Sequence, residues 1–151
     1  MITLEEFKKK HSDKSRLIGL DLGSKRIGVS ICDEKQLIAT PFKTIEKKTS
    51  MQLIEQLKSI INENNIKGII IGNPLNMDGS FGKSAQSVKD VSAYIEKNLD
   101  IPVCLWDERL STVGAFNLSG QLDINVSKRE KKIDENAAAF ILQGAIDFLN
   151  N

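Results

Sequence analysis

The chain has 151 residues, of which 40% are hydrophobic and 27% are charged, and its formal net charge is +1. This composition is typical of a globular protein with a sizeable core, and it excludes an intrinsically disordered chain. A net charge near zero also excludes a protein that coats nucleic acid through its overall charge, and leaves room only for local basic patches.

No apolar run approaches the roughly 20 residues that a membrane-spanning helix needs. The N-terminus lacks the basic-then-apolar pattern of a secretory signal. Both cysteines, Cys32 and Cys104, lie inside apolar runs without a C-x-x-C spacing. We therefore expect reduced thiols in the core, no membrane association and a cytoplasmic protein.

The first segments predict a helix followed by a hairpin. Thr3 and Glu6 have the spacing of a capping box, which predicts a short, peripheral helix to about His11. Residues 16–22 and 27–33 are two apolar runs around a glycine-containing turn, and they predict the two strands of a hairpin.

The next segments predict a strand, a helix and a buried strand. Residues 37–45 look extended, and Pro41 places this strand at a sheet edge because proline cannot donate a ladder hydrogen bond. Apolar residues then recur every three or four positions through about Asn64, which predicts an amphipathic helix capped by Thr49 or Ser50. The continuous apolar run 67–72 is typical of a buried parallel strand.

The second half of the chain alternates helices and strands. The predicted segments are a loop over 73–82, a helix containing Val88 to Leu99, a fifth strand over 102–106, a helix from Ser111 or Thr112 to about Leu118, a basic loop over 120–133, and a last helix that opens at Asp134. This order predicts an α/β fold with a mixed five-stranded sheet and helices on both faces. Without a linker or repeat, we expect residues 1–151 to form one domain.

Asp21 is the unusual residue of the first strand, because it lies between Leu20 and Leu22. Burying an ionised carboxylate without a partner is costly. Its position therefore indicates a bound cation, a hydrogen-bond network, or a strand end that opens into a cleft.

Further acids follow other predicted elements. Asp107 and Glu108 come after the fifth strand, and Asp134 opens the last helix. Functional groups in such sheets collect beyond the strand ends, so these acids converge with Asp21 if the first and fifth strands approach one another. An all-oxygen site selects Mg²⁺ or Mn²⁺, and such ions support phosphodiester hydrolysis.

Each acid also has a structural explanation. Asp134 is a good helix N-cap, and Asp107-Glu108-Arg109 is compatible with a surface ion pair. Imidazole chemistry is disfavoured because His11 is the single histidine and lies in the N-terminal segment. A thiol nucleophile is disfavoured because neither cysteine has a histidine partner.

Basic and amide groups lie beside these acids in the sequence and are suited to a phosphate-rich partner. The candidates for nucleic-acid binding are Lys25, Arg26, Asn73, Asn76, Arg109, Lys128, Arg129, Lys131 and Lys132. A charge run is often only a solvated surface, so these residues gain meaning from their position next to the acids.

Four segments carry a resemblance to a known family. They are Asp21-Leu-Gly-Ser-Lys-Arg-Ile-Gly-Val-Ser, Gly72-Asn-Pro-Leu-Asn-Met-Asp-Gly-Ser, Asp107-Glu-Arg-Leu-Ser-Thr, and Ile133-Asp-Glu-Asn-Ala-Ala-Ala-Phe-Ile-Leu-Gln. Together and in this order they resemble the YqgF family, also called RuvX, from about Arg16 to Leu149. Ser24 stands where many members have threonine.

The resemblance implies a ribonuclease H-like fold and a metal-dependent nuclease that matures the small-subunit ribosomal RNA precursor. It implies that Asp21, Glu108 and Asp134 are the catalytic acids and the Mg²⁺ or Mn²⁺ ligands, and so favours Glu108 over Asp107. Branched DNA is the other substrate suggested for the family.

Three other functions stay open at this stage. A Holliday junction resolvase would need two symmetric sites and hence a homodimer rather than a monomer. A non-catalytic RNA-binding module would bind without turnover. The Asp-Leu-Gly hairpin also resembles the first phosphate loop of actin-like and sugar-kinase ATPases, but those proteins close two such domains over a nucleotide.

Overall fold

The computed structural model describes residues 1–10, 14–74, 82–107 and 126–151. The elements of the described residues are α1 (Leu4–Lys10), β1 (Arg16–Leu22), β2 (Arg26–Cys32), β3 (Ala39–Glu46), α2 (Ser50–Asn64), β4 (Ile66–Asn73), α3 (Lys83–Asn98), β5 (Val103–Asp107) and α4 (Val126–Leu149). Residues 75–81 of the loop predicted over 73–82, and the helix predicted over 111–118, lie outside the described residues.

The five strands form one mixed sheet with the order β3-β2-β1-β4-β5. β1, β2 and β3 are antiparallel neighbours, whereas β4 is parallel to both β1 and β5. The predicted hairpin, the mixed sheet and the edge position of the strand that contains Pro41 are confirmed. β1 and β5 are not adjacent, because β4 lies between them.

Helices α2 and α3 cover one face of the sheet. Leu20 and Ile71 contribute to a core that also contains Leu57 of α2 and Ile95 of α3. The predicted cap of α2 is confirmed, since the Thr49 hydroxyl accepts a hydrogen bond from the Gln52 amide at 3.1 Å. This side-chain cap satisfies an amide that the first helical turn leaves without a partner.

Helices α1 and α4 cover the other face. Its core includes Phe7 of α1, Leu17 of β1 and Leu142 of α4. The prediction that α1 is peripheral was wrong, because Phe7 is only 2% exposed. Its ring packs over Gly68 of β4, where a Cβ atom would lie 3.0 Å from the ring.

The start of the last helix also differs from the prediction. α4 begins at Val126, so the predicted basic loop is wrong over 126–133, and Asp134 does not open the helix. The segment from Lys128 to Lys132 consists of Lys, Arg and Glu, which are good helix formers even on a solvated face. Asp134 therefore lies inside the helix, which excludes the N-cap explanation for this acid.

Both cysteines are free and buried, as predicted. Burial is the main cause that raises the pKa of the Cys104 thiol to about 12. Burial also raises the pKa of the Cys32 thiol, and the Cys32 sulfur accepts a hydrogen bond from the Leu17 amide at 3.2 Å. The thiols thus stay protonated and serve as small core residues.

Candidate active site

Asp21 lies near the carboxyl end of β1, on the face that α4 covers. Side chains alternate between the two faces of a strand. Leu17 belongs to the core under α4, whereas Ile18 and Leu20 belong to the core on the opposite face. The same alternation brings Asp21 to the α4 face, where it is partly buried.

Glycines in β1 and β2 let α4 lie directly against the sheet. Asp21 pairs with Gly28 across the β1–β2 ladder. A Cβ atom on Gly28 would lie 2.0 Å from the carbonyl oxygen of Asp134, and one on Gly19 would lie 2.7 Å from the Cβ atom of Leu142. Only residues without a Cβ atom permit this contact, and the contact brings Asp134 next to the cross-strand partner of Asp21.

Polar contacts from β2 and β3 hold α4 in this position. The Ser30 hydroxyl donates to the Ala138 carbonyl at 2.7 Å. The Thr44 hydroxyl donates to the Glu135 carboxylate at 3.2 Å. Farther along the helix, the side-chain oxygen of Gln143 accepts a hydrogen bond from the Ala39 amide at 2.8 Å. Because these hydrogen bonds are distributed along α4, they fix both the distance of the helix from the sheet and its rotation about its own axis.

Asp134 is bound by Arg26 at the start of β2. The Arg26 Nε donates to Asp134 Oδ2 at 2.8 Å, and the two side chains are 31% and 23% exposed. Arg26 was predicted as a nucleic-acid contact, and in this structure it contacts one of the predicted catalytic acids. The contact neutralises part of the charge on Asp134 and restricts its side-chain rotamer.

Asp21 and Asp134 interact electrostatically. Burial, and to a smaller extent the negative charge of Asp134, raise the pKa of Asp21 from 3.8 to about 6. A raised carboxyl pKa means that the ionised form is destabilised in its surroundings. A cation between the two carboxylates would reverse this effect, and their oxygen atoms are the donors that Mg²⁺ and Mn²⁺ prefer. These residues therefore fit a hard divalent ion.

Of the two candidates for the third acid, Asp107 and Glu108, the structure describes only Asp107. Asp107 pairs with Asn73 where β5 and β4 end, and Val103 and Leu105 on β5 pack into the α2–α3 core. By alternation Asp107 lies on that same face, opposite Asp21. Glu108 lies outside the described residues, which contain no group of three acids, histidines or cysteines able to hold a metal ion.

The predicted basic and amide residues are placed as follows. Lys25 is exposed in the β1–β2 turn, and its carbonyl accepts a hydrogen bond from the Lys47 amide at 2.9 Å. Asn73 is partly buried at the end of β4. Asn76 and Arg109 lie outside the described residues, as do the side chains of Lys128, Arg129, Lys131 and Lys132, whose backbone belongs to α4.

Sequence reasoning missed the residues that position Asp134. Gly28, Ser30 and Thr44 carry no charge and were not predicted as site residues, although Gly28 and Ser30 lie within the first of the four family segments. The available signal was a glycine inside a strand, which often marks the close approach of another backbone.

The comparisons with known proteins decide the family. The model of the RuvX Holliday junction resolvase family matches residues 15–148. The chain belongs to the RuvX family. A relative from Pelagibacter ubique, named "Putative pre-16S rRNA nuclease", is 74% identical over 100% of both chains. Another of the same name, from Nitrobacter hamburgensis, is 43% identical over 91% of this chain and 84% of its own.

Solved structures confirm the ribonuclease H-like fold of this RuvX protein. Thermus thermophilus RuvC, in complex with a Holliday junction substrate, has a TM-score of 0.56 at 12% identity, covering 87% of this chain and 93% of RuvC. The yeast mitochondrial Holliday junction resolvase has a TM-score of 0.50 at 13% identity, covering 97% of this chain and 85% of its own. Membership of a resolvase family identifies the chain as a nuclease.

Over the part of the chain that the structure describes, no helix is long and apolar enough to cross a membrane.

Proposed function

We propose that this RuvX protein is a divalent-metal-dependent nuclease that hydrolyses phosphodiester bonds in the small-subunit ribosomal RNA precursor. The observation that carries the proposal is the approach of Asp134, whose backbone lies against Gly28, to Asp21, the cross-strand partner of Gly28. The raised pKa of Asp21 supports a site designed to receive a cation. The names of its relatives support the RNA substrate. The cytoplasm is the proposed location of this activity.

Asp21, Asp134 and Glu108 are the proposed ligands of Mg²⁺ or Mn²⁺. Glu108 is retained because the alternation along β5 places Asp107 on the opposite face. When bound, the ion supplies Lewis-acid activation and a water of lowered pKa.

The role of Arg26 in the proposal follows from its contact with Asp134. Its Nε binds Oδ2, so it holds the carboxylate in one orientation and reduces the repulsion between the two acids. Such a contact raises the precision with which a catalytic carboxylate is held, because its rotamer no longer has to be selected during the reaction.

The remaining predicted basic and amide groups are proposed contacts to the RNA backbone. Lys25 is exposed in the turn next to Asp21, and Arg109 directly follows Glu108 in sequence. Asn73 ends β4, and Asn76 follows it three positions later in the sequence. In the sequence, Asp134 is preceded by Lys128, Arg129, Lys131 and Lys132. Contacts of this type give binding that weakens steeply as salt increases.

The test is cleavage of the precursor RNA by the purified protein with and without Mn²⁺. We expect Asp21→Asn to reduce the metal-dependent rate by about a thousandfold, because several kcal/mol of charge stabilisation depends on the bound ion. Asp90→Asn is the matched control, since Asp90 is an exposed acid on α3 that accepts a hydrogen bond from Gln86. Full metal-dependent cleavage by Asp21→Asn would refute the proposed site. Binding of RNA with no turnover by the parent protein would instead indicate a non-catalytic binding module.

A second candidate is resolution of branched DNA, which the family description and the fold shared with RuvC favour. Symmetric cleavage of a four-way junction needs two sites related by a two-fold axis. A stable homodimer that cuts junctions faster than precursor RNA would support this candidate, whereas a monomer that cuts RNA would support the main proposal.

A further inference from the structure

A cavity of about 370 Å³ lies at the end of β1, β2 and β3 that is remote from Asp21. It is bordered by Arg16 at the start of β1, by Ile31 and Cys32 at the end of β2, and by Phe42 in β3. Asn64, the last residue of α2, closes one side. The cavity therefore lies at the C-terminal end of α2, where this helix no longer covers the antiparallel half of the sheet.

Apolar side chains are presented to solvent around this cavity. Phe42 is 40% exposed and Ile38 is 63% exposed. The register of β2 and β3 shifts between the pairs Val29–Lys43 and Ser30–Pro41, which leaves Phe42 as the extra residue of a bulge. Bulges re-aim side chains, and this one leaves an aromatic ring accessible at the rim of the cavity.

A cation borders the same cavity. The Nε of Arg16 is buried and has no hydrogen-bond acceptor among the described residues, which costs free energy unless a ligand compensates. Asp33 is the acid that lines the cavity, and its carboxylate already accepts hydrogen bonds from the Leu37 and Ile38 amides at 2.8 and 2.9 Å. These bonds lower the pKa of Asp33. The cavity thus combines an aromatic side chain with a guanidinium group whose Nε has no acceptor among the described residues.

Exposed lysines connect this end of the sheet to the acids. Lys43 follows Phe42 on β3, and Lys47 lies just beyond the strand, where its amide binds the carbonyl of Lys25. Glu46 pairs with Arg26, so β3 runs from the cavity to the catalytic end of the sheet. The four residue steps from Phe42 to Glu46 span about 13 Å.

We propose that the cavity is a subsite for one unpaired nucleotide of the substrate, with its base against Phe42 and Ile31 and its phosphate at Arg16. An aromatic platform beside a cationic path is the usual means of binding single strands, because every base has a face that can stack. The inference rests on the proposed function and adds to it that the RNA near the cleavage site is single-stranded.

The test is RNA binding without cleavage, measured by fluorescence anisotropy in EDTA with a short labelled single-stranded RNA. We expect Phe42→Ala to weaken binding by about five- to tenfold, as expected for the loss of one stacked base. Phe42→Leu should lose a similar amount while keeping apolar volume, and Phe42→Trp should retain the affinity. Tyr94→Ala is the matched control, because Tyr94 is an aromatic residue on α3 that is 37% exposed.

The phosphate contact is tested separately through salt. Arg16→Met keeps the apolar stem and should reduce the slope of log affinity against log salt by about 0.7. Lys58→Met, at an exposed position of α2, should leave that slope unchanged. Binding of fully paired RNA should be unaffected by Phe42→Ala, because a stacked base pair cannot enter the cavity.

The outcomes separate this inference from the proposed function. Parent-like affinity of Phe42→Ala and Phe42→Leu for single-stranded RNA would overturn the subsite, even if Asp21→Asn abolishes cleavage. A loss of affinity that is equal for single-stranded and paired RNA would also overturn it. Failure of the catalytic proposal would instead appear as full metal-dependent cleavage by Asp21→Asn.

Discussion

At the scale of the residue, the ionisation of Asp21 opposes folding. Burial raises its pKa from the ordinary value of 3.8 to about 6 in the folded protein, so the folded state binds a proton more tightly than the unfolded state. This contribution to stability is fully present below pH 4 and is lost as pH rises through 6. A shift of about two units corresponds to at most about 3 kcal/mol.

Asp21→Asn should therefore stabilise the metal-free protein at neutral and higher pH. We expect the free energy of unfolding to rise by about 1–3 kcal/mol at pH 8 and to change little at pH 4, where the carboxyl group is already neutral. Urea unfolding in EDTA at the two pH values measures this difference. Asp90→Asn should show no such gain, and a variant of Asp21 that is destabilised at pH 8 would contradict the argument.

At the scale of the element, the position of Asp134 depends on how closely α4 approaches β2. A Cβ atom on Gly28 would lie 2.0 Å from the Asp134 carbonyl oxygen and 3.2 Å from its Cα atom. These are backbone atoms that cannot rotate away, so Gly28→Ala must displace the helix. We expect the free energy of unfolding to fall by about 1–3 kcal/mol. We also expect the cleavage rate to fall by more than the smaller fraction of folded protein explains.

Gly68→Ala provides the matched control for this prediction. It is also a glycine in a strand, but its Cβ atom would meet the Leu17 and Phe7 side chains at 3.0 Å, far from the acids. We expect it to lower the unfolding midpoint while preserving the cleavage rate at temperatures where it is folded. A Gly28→Ala protein with the parental cleavage rate would show that α4 does not need this contact to position Asp134.

The elements themselves were largely predictable, and the reasons are local. Alternation and apolar runs indicated the hairpin and β4, and Thr49 marked the start of α2, because these signals arise within each segment. The start of α4 was not predictable in this way, since Asp134-Glu-Asn looks like a helix N-terminus and only the structure shows the helix running back to Val126. The Arg26–Asp134 contact joins residues 108 positions apart, and no local pattern encodes it.

At the scale of the whole molecule, the site ties together segments that are distant in sequence. Asp21 lies on β1, its cross-strand partner Gly28 lies on β2, and Asp134 lies on α4. An ion that binds these acids only when the elements are assembled must stabilise the fold as a unit. In the metal-free protein the carboxylates repel each other, and Arg26 balances part of this charge.

Mn²⁺ should therefore raise the unfolding temperature, and it should do so more at pH 8 than at pH 5. An ion at a hundred times its dissociation constant adds about 2.7 kcal/mol, which for a chain of this size corresponds to about 5–10 °C. At pH 5 the proton on Asp21, whose pKa is about 6, competes with the metal and reduces the shift.

Differential scanning calorimetry with and without Mn²⁺ at both pH values measures the change in unfolding temperature. Asp21→Asn should abolish this change at pH 8. An equal shift at the two pH values, or one that persists in Asp21→Asn, would place the ion elsewhere on the molecule, because binding at this pair must compete with that proton.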